Sequence, residues 1–306
     1  MVCARSGRVR WWIIGACLLL AGCSAVRLAY SQAPHLVYWW LDGYVEFDAE
    51  QGERARDALA EWFAWHRATQ LTDYAGLLAI AQQQILHDVT PAQVCGWADA
   101  LRQRLETGYE QGVPAMAEVV RMLKPRQLQH IERRYRRADE EFRDEYLQVD
   151  RAERLDESLK RARSRAELIY GDLSDAQRAL LAQGIAESPF DPERWLAERQ
   201  LRQREIVETL RSLQAERADV ARTEAALRLF AAHAARSPRA AYREYQQRLF
   251  DHNCRLIARL HNSTTPEQRR RGAGKVKGWE EDLRALAAGA QPSAAAAPML
   301  TAPAAR

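Results

Sequence analysis

The chain has 306 residues, 47% hydrophobic and 28% charged, which excludes the disordered, collagen-like and polytopic membrane classes. Its 15 glycines and 11 prolines are too few for a turn-rich all-β protein. All but four of the 45 basic residues are arginine, and the formal net charge is +4.

The N-terminus carries an address. Arg5, Arg8 and Arg10 precede an apolar run from Trp11 to Leu20, which is too short to span a bilayer and suits a signal-peptide core. The run ends in Leu20-Ala21-Gly22-Cys23, which resembles the bacterial lipobox. That resemblance implies cleavage between Gly22 and Cys23, a diacylglyceryl thioether on Cys23 and a fatty acid on its new amine. Two acyl signals already anchor stably, so three chains predict attachment essentially for good. Ser24 follows where this class uses Asp for inner-membrane retention, so the expected location is the periplasmic face of a Gram-negative outer membrane.

Removing residues 1–22 takes away three arginines and no acid, leaving a formal charge of +1. A nucleic-acid binder needs a cation surplus, so that partner class is excluded. Cys3 and Cys17 leave with the signal and Cys23 is acylated, so Cys95 and Cys254 remain. In an oxidising compartment they are either a disulfide or two buried thiols. Cys254 lies on an apolar stripe with Phe250 and Ile257, which fits both readings.

Residues 23–33 read as the lipidated cysteine and a short tether. From residue 34 the apolar pattern has helical period and nothing alternates as a strand. Helix starts are marked by Asp48-Ala49-Glu50-Gln51, Thr90-Pro91-Ala92-Gln93 and Thr265-Pro266-Glu267-Gln268, with Asp191-Pro192 and Ser237-Pro238 as further caps. They predict helices over 35–45, 48–69, 72–87, 91–107, 114–123, 125–170, 175–186, 192–213, 217–236, 238–262 and 266–288. The longest, 125–170, shows a phase slip between two apolar stripes. After Thr90, the side chains of Val94, Trp97, Ala98, Leu101 and Leu105 fall on one face. The tail 289–306, rich in Ala and Pro, lacks core-forming side chains and is expected to be disordered. The expectation is an all-α, multi-helix bundle over 34–288, with one long central helix.

Tyr38, Trp39, Trp40, Tyr44 and Phe47 crowd the start of the mature chain. They either plug the bundle, with Trp62, Trp65 and Thr69 as partners, or face the membrane interface, where Trp and Tyr keep a wet polar edge. Arg133, Arg134, Arg136 and Arg137 precede a run of acids and predict a salt-bridged face. Arg269-Arg270-Arg271 is the basic run without local compensation.

No nucleophile elbow, phosphate-binding loop, dinucleotide glycine triplet or Cys-x-x-Cys occurs. None of His35, His66, His87, His130, His233, His252 and His261 has a second His three or four residues away, or a Glu three residues before it. No catalytic residue, metal ligand or cofactor is expected. A hydrolase with dispersed residues is the remaining enzymatic alternative.

Four segments share a local form ending in Gln: Val89–Gln93, Leu123–Gln127, Leu173–Gln177 and Thr264–Gln268. They are similar to the LTxxQ motif of periplasmic stress chaperones of the Spy and CpxP type, which implies unfolded clients as partners. The same pattern is also a capping box, whose Gln satisfies backbone N–H groups. Cys23 to Tyr30, Tyr38-Trp39-Trp40-Leu41-Asp42-Gly43-Tyr44, Trp62 to Arg67, His261 to Thr264 and Gly278 to Leu283 together resemble an uncharacterised family of proteobacterial lipoproteins. That resemblance implies an outer-membrane lipoprotein of mainly helical fold and transfers no activity and no catalytic residue; the expected role is a helical interaction module that binds protein or envelope components.

Overall fold

The computed structural model describes residues 25–289, which form eleven α-helices and no strand. The signal segment, the Gly22–Cys23 cleavage site and the tail beyond Gly289 lie outside the described residues. In chain order the helices are α1 (Ala25–Val45), α2 (Ala49–Thr69), α3 (Leu71–Gln84), α4 (Pro91–Arg121), α5 (Pro125–Tyr146) and α6 (Arg151–Tyr170). They continue as α7 (Asp175–Ala186), α8 (Pro192–Ala215), α9 (Val220–Ala235), α10 (Ala240–Asn262) and α11 (Pro266–Ala288). The all-α expectation holds, and several boundaries differ for physical reasons.

The expected tether is helical from Ala25 onward. Arg27 reaches Asp282 of α11 at 3.1 Å, and Tyr30 meets His66 of α2 at 2.9 Å, so neighbouring helices hold the segment in place. The helices expected at 91–107 and 114–123 are one 31-residue helix, α4, which runs through Pro114. Proline removes one intrahelical bond, but Val113 and Ala117 are completely buried, and their packing overrides the local break. Conversely, 125–170 is two helices. α5 ends at Tyr146, and Asp150 restarts the chain by accepting from the Ala152 N–H at 2.9 Å. The slip in apolar phase was the mark of that break. The long central helix is therefore α4, which packs against α2, α8, α9 and α10.

Ser237 is also not the cap its sequence suggested. α10 starts at Ala240, and the buried Ser237 hydroxyl donates to Glu198 at 2.7 Å. On α4, Val94 is buried, but Leu101 and Leu105 face solvent, as does Ile257 on α10. The largest core joins Leu123, Leu128 and Ile131 to Val207, Leu210 and Leu213, sealing α5 on α8. A second joins Leu173 and Leu181 to Leu256 and Leu260, and a third surrounds Cys254 with Val89, Val94 and Ala258. α3 and α11 lie closely along one another. Gly272 of α11 is buried where a Cβ would sit 3.0 Å from Ile85 Cδ1.

Two glutamine pairs bolt helix starts together. Gln51 at the start of α2 and Gln127 at the start of α5 exchange side-chain hydrogen bonds of 3.1 and 2.7 Å. Gln177 of α7 and Gln268 of α11 do the same at 2.8 and 3.1 Å. Each oxygen also accepts from its own N-cap backbone N–H, at Asp48, Lys124, Ser174 or Thr265. Each amide nitrogen donates a second bond to the carbonyl five residues before its partner glutamine: Met122, Glu46, Ser263 or Asp172, at 2.7 to 3.0 Å. Lys124 has no acceptor, so its half of the box is missing, and its ammonium instead reaches the Asp48 carboxylate at 2.7 Å. Gln93 forms the box with Thr90 but pairs with no second glutamine among the described residues.

Gln51 and Gln127 are almost wholly buried, so removing one strands the other's polar atoms. Gln127→Ala is expected to lose about 2–3 kcal/mol in denaturant melts. The Gln51→Ala/Gln127→Ala double variant should lose clearly less than the sum of the two single changes.

Candidate docking groove

The described residues contain no group of His, Cys, Asp and Glu arranged to hold a metal ion. Two histidines instead do structural work beside tyrosines. His261 is buried, with Nδ1 2.9 Å from the Tyr170 hydroxyl and Nε2 2.8 Å from the His87 carbonyl. His66 stacks on Trp62 with ring centroids 4.7 Å apart and takes its Nδ1 bond from Tyr30. Burial holds both imidazoles below the usual histidine range.

Because the unfolded chain protonates these rings first, stability is complete above about pH 6.5 and falls as pH drops toward their depressed folded values. Thermal melts from pH 7.5 downward should show that decline. It should be shallower in the His66→Gln/His261→Gln variant, each protein being referred to its own value at pH 7.5.

Cys95 and Cys254 are joined as a disulfide, with Cα atoms 5.5 Å apart at a sequence separation of 159. Of the two readings left open by composition, the structure contains the bond. It ties the first turns of α4 to the middle of α10 beside Val89, whose backbone also pairs with the Asn262 side chain at 2.8 and 3.0 Å. The expected result is no alkylation of the oxidised chain at these cysteines. Reduction should expose both and lower stability by about 3–5 kcal/mol.

The N-terminal aromatics divide by helix face. Tyr38 stacks on Phe47 at 5.9 Å beneath the Arg56 guanidinium, and Tyr44 packs edge-on to Tyr135. Trp39 and Trp40 point outward. The aromatic that meets the Trp62 group is Tyr30, through Phe63 and His66. Trp62 itself donates to the Gly108 carbonyl at 2.8 Å and fills the notch left by Gly108 and Gly112 on α4.

Among the arginines, Arg134 pairs with Glu141 at 3.2 Å, seven residues on and not the three or four that the charge pattern predicts, while Asp139 of the same cluster is buried against Arg199 of α8. Two of the three arginines in the 269–271 run are compensated: Arg269 reaches Asp88 and Arg270 reaches Glu267, one partner 181 residues away in sequence and the other three.

A different set of arginines stands apart. Arg151, Arg154, Ser158, Arg161 and Arg165 recur at steps of three and four, so they share one face of α6 over about 21 Å. That face forms one wall of a groove of about 820 Å³. The opposite wall is aromatic. Phe142 stacks between Tyr146 at 4.7 Å and Trp195 at 4.5 Å, and Phe190 meets Tyr146 edge-on. Leu249 and Asn253 of α10 complete it.

Arg154 is held by Glu193 at 2.8 Å, and Arg161 lies 4.4 Å over the Tyr146 ring. Arg151 and Arg165 are exposed and form no hydrogen bond or ion pair with any described residue. The acids of α6 turn away: Asp156 and Glu157 are taken by Lys160 at 2.9 and 2.8 Å. The six basic and four acidic side chains of α6 are thus divided, with four arginines lining the groove and all four acids outside it. The periodicity of the arginines was present in the sequence, but the aromatic wall comes from three other elements, so their alignment was not.

These features define an all-α domain with an open, aromatic-walled groove lined by four arginines. Residues 43–224 match the model of a family of unknown function, DUF6279, and the chain belongs to that family. The match covers both main walls of the groove. No curated protein and no solved structure matches the chain.

Proposed function

We propose that this chain is an envelope lipoprotein, cut before Cys23 and acylated there, whose helical domain is a binding module at the periplasmic face of the outer membrane. The observation that carries the binding role is the groove, with two free arginines on one wall and a stacked aromatic row on the other. Anchoring rests on the Leu20–Cys23 lipobox and the apolar run before it.

The groove suits an acidic segment of a polypeptide with apolar side chains between its carboxylates. A cationic stripe about 21 Å long is too extended for a single headgroup, while Arg, Trp and Tyr are the residues that dominate protein interface energetics. The chain's own tail, 290–306, contains no acid and does not complement the stripe. A client-binding role through the LTxxQ-like segments has less support, because Gln127, Gln177 and Gln268 commit both ends of their amides to the fold.

Palmitate labelling of the wild type and of Cys23→Ser tests the anchor; no label in the wild type would remove it. For the groove, the probe is a labelled 16-residue peptide of Glu alternating with Leu and Phe, read by anisotropy against the mature protein in neutral-lipid vesicles. Arg151→Glu/Arg165→Glu is expected to weaken binding at least about tenfold, roughly 1.4 kcal/mol. A Gln-for-Glu peptide should bind weakly to both proteins. Equal affinity for the two peptides, or arginine-dependent binding of phosphatidylglycerol vesicles with none of the acidic peptide, would overturn the assignment.

A further inference from the structure

The first helix has an outward face that the bundle does not use. Leu28, Leu36, Trp39 and Trp40 are 62%, 58%, 75% and 56% exposed. At 100° per residue they fall within one arc of about 120° along a helix about 31 Å long. The inward face packs on α2, α5 and α11. α1 contains only two formally charged side chains, and both turn to the protein. Arg27 pairs with Asp282, and Asp42 accepts from the Phe47 N–H at 2.9 Å. The exposed positions of α1 carry no Asp, Glu, Lys or Arg from end to end.

A chain with 28% charged residues does not leave an uncharged strip of that length bare by composition alone. What precedes the strip supplies an occupant. Ala25, the first residue of α1, lies two residues after Cys23, a span of at most about 7 Å. If Cys23 is acylated, the helix begins at the bilayer surface.

We infer that the outward face of α1 beds into the headgroup boundary of the membrane that holds Cys23, with Trp39 and Trp40 as its interfacial anchors. This rests on the lipoprotein reading and goes beyond it, because a tether alone leaves the domain free to turn. The helix lies along the surface and does not cross it: no helix among the described residues is long and apolar enough to span a membrane. Interfacial helices sink their apolar face about 5–10 Å, within reach of two Leu and two Trp side chains. Trp suits this depth, since its ring is apolar and its N–H remains wet. With α1 laid flat, α2, α5 and α11 stand above it and the domain takes one orientation.

The test uses the mature, full-length protein in phosphatidylethanolamine and phosphatidylglycerol vesicles containing brominated lipid. Wild-type tryptophan fluorescence should be quenched, and Trp39→Phe/Trp40→Phe should abolish at least about half of the quenched signal while circular dichroism is unchanged. Leu36→Glu/Trp39→Glu should lose quenching yet remain in the vesicle pellet through the lipid. The mass of the N-terminal peptide reports acylation separately, so a missing anchor and a wrong face give different results. Equal quenching in the wild type and the double Phe variant would overturn the inference. So would absence of quenching with both tryptophans shielded from iodide, which would assign the face to a second copy of this chain.

Discussion

The carboxamide of glutamine, placed three residues into a helix, is the interaction on which this bundle turns. Its oxygen silences the N–H of its own cap, and its nitrogen carries two bonds outward, to a second glutamine and to the backbone leading into that glutamine's helix. A helix start is a place of unsatisfied donors and partial positive charge, so two starts do not meet readily. Here they meet twice, α2 with α5 and α7 with α11, because an amide offers a donor and an acceptor at once. Lysine stands at one of the four caps and still fits, since its charge is taken by Asp48 on the opposing helix. The short links before these helices are thereby fixed on both sides, and the cores between them pack against settled ends.

Charge follows a similar logic away from the caps. Glu198 is buried on α8, where desolvation pushes its carboxyl up, but the Arg239 fork at 2.7 and 2.8 Å and the Ser237 hydroxyl outweigh that and hold it below the usual carboxylate range. Asp139, also buried, accepts from Gln200 and Gln203 at 3.0 Å each, with Arg199 beside it. Arg151 and Arg165 differ from other unpaired surface arginines, Arg133 and Arg136 among them, in lining an aromatic groove. The groove they border lies where α5 stops and α6 begins, so the break that divides the longest apolar pattern also shapes the groove. Leu147 to Asp150 turn the chain, Val149 is fully exposed, and side chains of both helices line the groove.

The proposed assembly has two separate working surfaces. In that proposal α1 is the membrane side and the α6 groove the side for a protein segment. They share no residue, and the disulfide between α4 and α10 braces the bundle that connects them. Neither surface requires a catalytic group. The one conspicuous pattern of polar residues, the repeated cap ending in glutamine, is absorbed by the architecture.

Much of this was readable residue by residue. Caps at Asp48, Thr90, Asp191 and Thr265 and the helical period are local properties, set by which side chain can reach which backbone atom within one turn. The apolar slip near residue 147 was visible too, though not its meaning. The sequence by itself determined the helices, most of their starting points and the oxidisable pair. Tertiary structure alone decided that Pro114 continues a helix, that residues 25–33 are helical, that Gln51 finds Gln127, and that Trp39 faces out while Tyr38 faces in. These outcomes depend on atoms distant along the chain, and no short window holds the energy of a contact made across 76 or 159 residues.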